Sequence, residues 1–303
     1  MHEREFRITV PLPSGDVEVS AAAGIPEPEI ETWATVVVTH GAGAAYDQPV
    51  LVDYARALRA AGIATLRFNF PYREQGRSFP DRPPAAIATW NAAYASAASF
   101  TPPAIPIWAS GRSFGGRMAS MAAAAGMDVA GLVYLAYPLH APGKPDVLRD
   151  EHLDAITAPQ LFLQGTNDPF AIPNAALDAI AMRIPKAQVQ WIAGGDHSFG
   201  VKGQKRTPNE IADDLAARTI AFMRTNSRGA EETAAPHHLS RESIGGGESP
   251  GHRPRRPLGG CTPTGSRGHR PSSRCRLRCV RRCRGIPQAP SHRRSGSTGP
   301  ARS

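Results

Sequence analysis

The first 227 residues of this 303-residue chain contain no cysteine, since the four cysteines are Cys261, Cys275, Cys279 and Cys283. This part therefore folds without disulfides or thiolate metal ligands, which fits a reducing compartment. The sequence also lacks an apolar run of membrane-spanning length, and its first residues, MHEREFRITV, lack the apolar core of a signal peptide. We therefore expect a cytoplasmic protein with no membrane partner.

Residues 228–303 contain no Phe, Tyr, Trp, Met or Lys. They hold 16 arginines and four acidic residues, a net charge of +12, so the whole-chain charge of +9 leaves −3 for residues 1–227. A segment without aromatic residues, Met or long apolar runs cannot bury a sizeable core. We predict an α/β domain over residues 1–227 and a disordered tail rich in Arg, Gly, Pro and Ser over residues 228–303.

The basic tail has further interpretations. Its charge can attract nucleic acid or an anionic surface non-specifically. Cys275, Cys279 and Cys283 recur every four residues, which is not a zinc-knuckle spacing. Abundant Arg without Lys would also result from an out-of-frame translation of GC-rich DNA. We favour disorder without a specific function, and we predict neither a nucleic-acid partner nor a metal site.

Short apolar runs rich in β-branched and aromatic residues alternate with helical patterns through most of residues 1–227. The alternation predicts a mostly parallel sheet with helices on both faces. Two initial segments, FRITVPL and DVEVSAA joined by PSG, predict an antiparallel hairpin at one edge. The other predicted strands are 34–40, 64–70, 105–110, 131–137, 160–165 and 189–195, and the predicted helices are 49–62, 84–100, 114–126, 173–184 and 208–225.

One five-residue motif, Gly111-Arg112-Ser113-Phe114-Gly115, follows the strand IPIWAS and opens a helix of small residues. A G-x-S-x-G pattern between a strand and a helix predicts a nucleophile elbow, in which a serine occupies a strained turn and flanking glycines avoid collisions. The alternative is a glycine-rich turn without chemistry. The segment matches neither a Walker loop nor a dinucleotide-binding loop. Ser113 is therefore the candidate nucleophile.

A serine nucleophile requires a histidine base and a carboxylate that orients the histidine. Asp168 follows the strand QLFLQG and His197 follows the strand VQWIAGG, which gives the chain order Ser, Asp, His expected with such an elbow. His140, in AYPLHAPG, is the rival base, although a structural or pocket-lining role is favoured for it. Asp196 adjoins His197 but favours turn capping, so Asp168 is the better orienting group.

Acyl transfer also requires two backbone N–H groups that bind the oxyanion. We expect the first from Phe114, directly after the nucleophile. The second is expected in the loop Thr39-His40-Gly41-Ala42-Gly43-Ala44, which follows the first central strand. Ala42 is the preferred donor and Gly43 is the second choice.

The stretches HGAGA, GRSFGG and GGDHSF together resemble the α/β-hydrolase superfamily on its dienelactone-hydrolase-like side. FPYREQGRSFPDRPP and YPLHAPGKPDVLRDEHLDAI are similar to the KANL/TEX-type α/β-hydrolase-like family, which includes small bacterial proteins and a subunit of a eukaryotic histone-acetyltransferase complex. The resemblance covers about residues 5–225 and not the tail. It implies an α/β-hydrolase fold without a large cap domain, with Ser113, Asp168 and His197 as the triad. Phe114 stands where a Met or similar apolar residue is expected, which leaves the mechanism untouched.

Four residues are candidates for lining a pocket: His40, Tyr72, Arg73 and His140. Within residues 70–84, the basic side chains can border the pocket and attract an anionic substrate, or they can pair with Glu74 and Asp81 and so fix an irregular loop. The pairing is favoured. Residues 137–156 are too few for a lid domain, and we expect them to form a partial wall.

Taken together, these features predict a serine hydrolase that transfers the acyl group of a small ester, thioester or lactone to Ser113. A small-molecule substrate is the only partner implied, and no cofactor or metal is predicted. The alternative is a catalytically idle interaction module on the same scaffold, which the eukaryotic relative suggests.

Overall fold

A computed structural model describes residues 3–234 of the chain, with side chains to residue 227. The predicted tail lies outside the described residues from residue 235 onward, together with its cysteines. The strands are β1 Glu3–Val10, β2 Val17–Gly24, β3 Ala34–Thr39, β4 Ile63–Phe68, β5 Ile107–Arg112, β6 Leu132–Leu135, β7 Gln160–Gly165 and β8 Ala187–Ile192. The helices are α1 Pro49–Ala60, α2 Pro71–Glu74, α3 Pro83–Phe100, α4 Phe114–Ala124, α5 Asn174–Arg183 and α6 Pro208–Ala234, and Leu153–Ala155 form a 3-10 turn.

The strands form one eight-stranded sheet in the order β1-β2-β4-β3-β5-β6-β7-β8. β1 and β2 pair antiparallel at one edge, and β2 is antiparallel to β4, whereas the pairs from β4 to β8 are parallel. The predicted fold class is confirmed: the sheet is mostly parallel and carries an antiparallel hairpin at its edge. No part of residues 3–234 forms a cap domain over the sheet.

The sheet is buried on both faces because its central strands are apolar throughout. All six residues of β3, ATVVVT, are buried, and successive valines point into opposite layers. Val37 packs in the layer that contains Trp90 of α3 and Met118 of α4. Val36 packs in the layer that contains Tyr54 of α1 and residues of α6. Two apolar layers thus hold the sheet rigid beneath the loops at its carboxyl edge.

The course of the chain places those loops together. From β3 the chain crosses to β4 on one side, and it later returns to β5 on the other side of β3. Ligands of parallel sheets bind where the strand order reverses in this way, beyond the carboxyl ends of the strands. The loop after β3 and the elbow after β5 flank that crevice.

All predicted strands and helices are present, with ends shifted by up to three residues in most cases, and three further differences concern the elbow, a short helix and the last helix. Strand β5 continues to Arg112, so the elbow begins inside the strand. The short helix α2 was not predicted. The last helix continues to Ala234 and so crosses the boundary predicted at residue 227. Among the residues that the structure describes, no helix is both long enough and apolar enough to cross a bilayer.

Candidate active site

Ser113 stands at the turn between β5 and α4 with φ 48° and ψ −115°. A positive φ is strained for a residue with a side chain, at a cost of about 1–3 kcal/mol. The turn is tight because the flanking backbones nearly touch: a Cβ on Gly111 would lie 2.4 Å from the nitrogen of Gly116. A Cβ on Gly115 would lie 2.5 Å from the carbonyl oxygen of His40. Both glycines of the motif are therefore required by the packing.

The Ser113 hydroxyl faces a histidine instead of capping the helix. Ser113 occupies the N-cap position of α4, yet its side chain makes no capping hydrogen bond. Its Oγ lies 2.9 Å from Nε2 of His197, and Nδ1 of the same ring lies 2.8 Å from Oδ2 of Asp168. An ionised carboxylate only accepts, so Nδ1 carries the proton and Nε2 accepts from the serine. This is the tautomer that a general base needs.

Asp168 is fully buried, and each of its oxygens has a donor. Oδ1 accepts from the backbone N–H of Phe170 at 2.9 Å, and Oδ2 also accepts from Nε2 of Gln164 at 2.5 Å. The Phe170 ring lies against the His197 ring with centroids 4.2 Å apart. The orientation of the imidazole is thus fixed by a carboxylate at one edge and an aromatic ring on one face.

The loops after β7 and β8 are joined by their backbones. A Cβ on Gly165 would lie 2.2 Å from the carbonyl oxygen of Gly195, and the N–H of Asn167 donates to that oxygen at 2.8 Å. Asp196 caps its own turn, as predicted, because Oδ1 accepts from the N–H groups of Ser198 and Gly200 at 2.7 and 2.9 Å. These contacts determine where the two loops present Asp168 and His197.

Arg112, at the second position of the motif, links the elbow to the histidine loop. Its Nη2 donates to Oγ of Ser198 at 2.8 Å and to the carbonyl oxygen of His197 at 3.4 Å. Burial lowers the pKa of Arg112, while the charges of Asp196 and Asp168 act to raise it. The motif alone gave no sign of this role, since its second position accepts any residue.

A cavity of about 310 Å³ adjoins Ser113 and His197. Two of its lining residues, Phe114 and Ala42, were predicted as oxyanion donors. Within the described part of the chain, neither backbone N–H donates a hydrogen bond, so both are available to a ligand. Gly43, the second choice, is not among the residues that line the cavity. Its role as an oxyanion donor stays a prediction.

His40 and Tyr72 do not line the cavity either, and their predicted pocket role is corrected. Both are fully buried beneath the loop after β3. His40 Nδ1 donates to the carbonyl oxygen of Gly41 at 2.8 Å, and Tyr72 Oη donates to the same oxygen at 3.3 Å. Nε2 of His40 accepts from the N–H of Phe70, and burial lowers the pKa of His40 to about 4. His40 is consequently neutral at pH 7.

The two hydrogen bonds to the Gly41 oxygen also determine the direction of the neighbouring Ala42 N–H. In a trans peptide the C=O of Gly41 and the N–H of Ala42 point in opposite directions within one plane. Because His40 and Tyr72 hold the Gly41 oxygen on the buried side, the Ala42 N–H is directed to the cavity side. The sequence singled out both residues, and the structure shows both bonded to the peptide that precedes the Ala42 N–H.

The other two predicted pocket residues also lie elsewhere. Arg73 donates to the carbonyl oxygen of Arg77 at 3.3 Å, and Arg77 pairs with Asp81 at 2.6 Å, so the favoured ion-pair interpretation of this loop holds for that pair. His140 is buried, with its Nδ1 2.9 Å from the carbonyl oxygen of Ala141 and its backbone N–H bound to the carbonyl oxygen of Phe170. It supports the ring that packs on His197.

Several lining residues were missed by the sequence reasoning: Gly41, Arg112, Arg117, Pro138, Arg149 and Phe170. Arg117 carried a usable signal, because it lies one helical turn after Ser113 on α4. Arg149 carried none, since it comes from the irregular segment after β6, which forms a wall of the cavity. Among residues 3–234, no group of three or more His, Cys, Asp and Glu side chains is arranged to hold a metal ion.

Comparison with known proteins agrees with this architecture. A family model described as an alpha/beta hydrolase domain matches residues 32–224. An alpha-beta serine hydrolase homologue from Coxiella burnetii is 23% identical, with a TM-score of 0.56 over 72% of this chain and 98% of that one. An α/β serine hydrolase without lid from Xanthomonas campestris is 21% identical, with a TM-score of 0.51 over 77% of this chain and 97% of that one.

A dienelactone hydrolase from Anabaena variabilis is 20% identical to this chain. Its TM-score is 0.55, and the match covers 73% of this chain and 99% of that one. At such identities the structural similarities establish the fold alone.

Proposed function

The chain belongs to the alpha/beta hydrolase domain family, and on that premise we propose that it is a serine hydrolase of small esters, thioesters or lactones. The observation that supports this proposal is the continuous chain of hydrogen bonds from Asp168 through His197 to Ser113, with distances of 2.8 and 2.9 Å. The serine therefore already lies within hydrogen-bonding distance of its base. The similarity to serine hydrolases and a dienelactone hydrolase is consistent with this reaction class.

In the first half of the proposed reaction, Nε2 of His197 takes the Ser113 proton while Oγ attacks the carbonyl carbon. The carbonyl oxygen becomes an oxyanion, which the N–H groups of Phe114 and Ala42 bind. Asp168 stabilises the imidazolium that forms. The tetrahedral intermediate collapses, the leaving group takes the proton from His197, and the acyl group remains on Oγ.

In the second half, a water molecule replaces the leaving group. His197 takes a proton from the water as the water oxygen attacks the acyl carbon, and the oxyanion forms again at the same two N–H groups. Collapse breaks the bond to Oγ, which regains the proton from His197. The products are a carboxylic acid and the free enzyme, so the cycle consumes one water and needs no cofactor.

A panel of 4-nitrophenyl esters of increasing acyl length, assayed with the full chain and its Ser113→Ala variant, tests this proposal. We expect hydrolysis of the shorter esters, with a loss of about 10³-fold or more in kcat for Ser113→Ala. Ser78→Ala, at an exposed serine outside the cavity, is the control and should retain activity. Equal rates for Ser113→Ala and the unaltered chain would overturn the proposal in favour of an idle scaffold.

A further inference from the structure

Two arginines line the cavity beside Ser113 without any carboxylate partner. Arg117 and Arg149 are both lining residues, and within the described residues neither guanidinium forms an ion pair or a side-chain hydrogen bond. Nε of Arg117 is buried and has no acceptor at all. Arginine side chains in partly buried positions are normally paired. These two cavity-lining arginines therefore have hydrogen-bonding capacity that no side chain of the described residues uses.

The backbones of both arginines are fixed. Arg117 lies on the first turn of α4, where its N–H donates to the carbonyl oxygen of Ser113 at 3.0 Å. Arg149 is held from both sides, because its N–H donates to the carbonyl oxygen of Leu139 at 2.8 Å and its own oxygen accepts from Tyr137 Oη at 2.7 Å. The arrangement is thus built into the fold and not a consequence of a loose loop.

Three carboxylates near the cavity, those of Asp150, Asp168 and Asp196, are engaged with other groups. Asp150, adjacent in sequence to Arg149, pairs with Arg183 at 2.7 Å. Asp168 is bonded to His197, and Asp196 caps its own turn. Each of these acids therefore already has its own donors, and the guanidinium groups of the cavity remain uncompensated.

The pKa values of Arg149 and His152, two groups near Arg117, agree with an uncompensated positive charge at the cavity. Burial lowers the pKa of Arg149, and the charge of Arg117 lowers it further. Burial and the charge of Arg117 also lower the pKa of His152 to about 4, so this histidine is neutral at pH 7. Two cations that disfavour each other become more stable when an anion binds between them.

Resting on the serine-hydrolase function proposed above, we propose that Arg117 and Arg149 bind a carboxylate of the substrate. The substrate class is then an ester, thioester or lactone that carries a second, ionised carboxyl group. A guanidinium fork matches the two oxygens of a carboxylate, and the cavity volume of about 310 Å³ suits a small molecule. Arg112 lines the same cavity, but its guanidinium is already bonded to Ser198.

A matched pair of esters tests this inference by turnover. 4-Carboxyphenyl acetate and 4-carbamoylphenyl acetate differ only in the charge of the para group, and phenyl hydrogen terephthalate with phenyl 4-carbamoylbenzoate places the charge on the acyl side. We expect the full chain to prefer the charged member of at least one pair by about tenfold or more in kcat/KM. The preference should fall to about unity in an Arg117→Gln/Arg149→Gln variant and be partly retained in Arg117→Lys.

Direct binding separates this inference from the proposed reaction. The same four esters are titrated into Ser113→Ala protein and followed by NMR, so that no turnover is required. We expect the charged member to bind about tenfold more tightly than its amide, with the difference lost when both arginines are replaced. Arg82→Gln, at an exposed arginine outside the cavity, is the control. The thermal midpoint of each variant verifies that it is folded.

Each outcome has one meaning. Binding preference for the carboxylates without turnover by the unaltered chain would contradict the hydrolase proposal and leave the anion subsite standing. Turnover without any preference for the charged members, in folded protein, would overturn the subsite and leave the hydrolase proposal standing. A preference that survives replacement of both arginines would also overturn the subsite.

Discussion

Nδ1 of His197 lies 2.8 Å from Oδ2 of Asp168, a carboxylate with no exposure to solvent. Oδ2 also accepts from Gln164, and Oδ1 accepts from the N–H of Phe170. Three donors converge on the Asp168 side chain, and its bond to Nδ1 directs the other nitrogen of His197 at Ser113. This hydrogen bond joins the loop after β7, which carries Asp168, to the loop after β8, which carries His197. It thereby holds His197 in the orientation needed to accept a proton from Ser113.

Replacing Asp168 by Asn should remove that geometry while keeping the shape of the side chain. An amide nitrogen at Oδ2 would face the donors of Gln164 and His197, and an amide oxygen there would leave the imidazolium without a counter-charge. We expect kcat to fall by about 10²–10⁴-fold, measured on the best ester of the panel. Asp178→Asn, at a carboxylate on α5 that accepts from Trp191, is the control. A kcat for Asp168→Asn equal to that of the control would contradict the assigned role.

Removing the Tyr72 hydroxyl should reduce catalysis without exposing new surface. The hydroxyl donates to the Gly41 oxygen, and the remaining donors, His40 and Ala44, hold that peptide less firmly. We expect Tyr72→Phe to lower kcat by about three- to tenfold with little change in KM, because the oxyanion is bound in the transition state. Tyr46→Phe, which removes a hydroxyl bonded to Glu5 on the surface, should leave kcat unaltered. If KM alone rises in Tyr72→Phe, the positioning role is wrong.

Adding a methyl group at Gly115 should disturb the contact between the elbow and the loop after β3. The new Cβ would meet the His40 oxygen at 2.5 Å and Thr39 Cγ2 at 2.8 Å. We expect Gly115→Ala to lower the free energy of unfolding by about 2–4 kcal/mol in urea titrations. Gly143→Ala is the matched comparison, because its Cβ would meet nothing while φ is +73°, and it should cost about 1 kcal/mol. Equal losses would show that the close approach is not a constraint.

His40 makes the free energy of unfolding depend on pH. Its folded pKa of about 4 lies below the unfolded value of 6.5, so between these values the unfolded state binds a proton that the folded state does not. Stability therefore rises with pH across this window: it is fully present above pH 6.5 and lost as pH falls towards 4. The contribution is about 3 kcal/mol, at about 1.4 kcal/mol per pKa unit.

The check is to measure urea unfolding from pH 4 to 7.5 for the unaltered chain and for His40→Gln. Gln can donate and accept as His40 does, but it does not titrate, and His152 remains in both proteins. We expect the free energy of unfolding of the unaltered chain, minus that of His40→Gln, to decrease as pH falls below 6.5. Parallel curves over the whole range would contradict a neutral, buried His40.

The fold followed from the sequence because each strand is a short apolar run and each run is separated from the next by a helical pattern. The strand ends then indicated Ser113, Asp168 and His197, and the structure places these three in one hydrogen-bonded chain. Their catalytic role stays a prediction. The end of a strand determines where a residue lies in the fold. For Ser113, Asp168 and His197, which stand on tight turns, this position was sufficient to predict that their side chains would meet.

The same reasoning was wrong for His40 and Tyr72, because adjacency to a strand end does not determine which way a side chain points. Both turn inward, where burial against Phe70 is more favourable than exposure at the cavity. Arg149 could not have been found, because a contact with Tyr137 and one with Leu139 bring it to the cavity from an irregular segment. Tertiary contacts of that kind leave no periodic pattern in the sequence.

The central claim is that Ser113 is a nucleophile activated by His197, and a fluorophosphonate probe tests it most directly. The probe reacts with an activated serine whether or not the substrate is known. We expect the unaltered chain to be labelled once, with the adduct mapped to Ser113 by mass spectrometry, and labelling to be absent in folded Ser113→Ala. Labelling should continue in Ser78→Ala. A folded, unaltered chain that the probe does not label, or a label that persists in Ser113→Ala, would contradict the account.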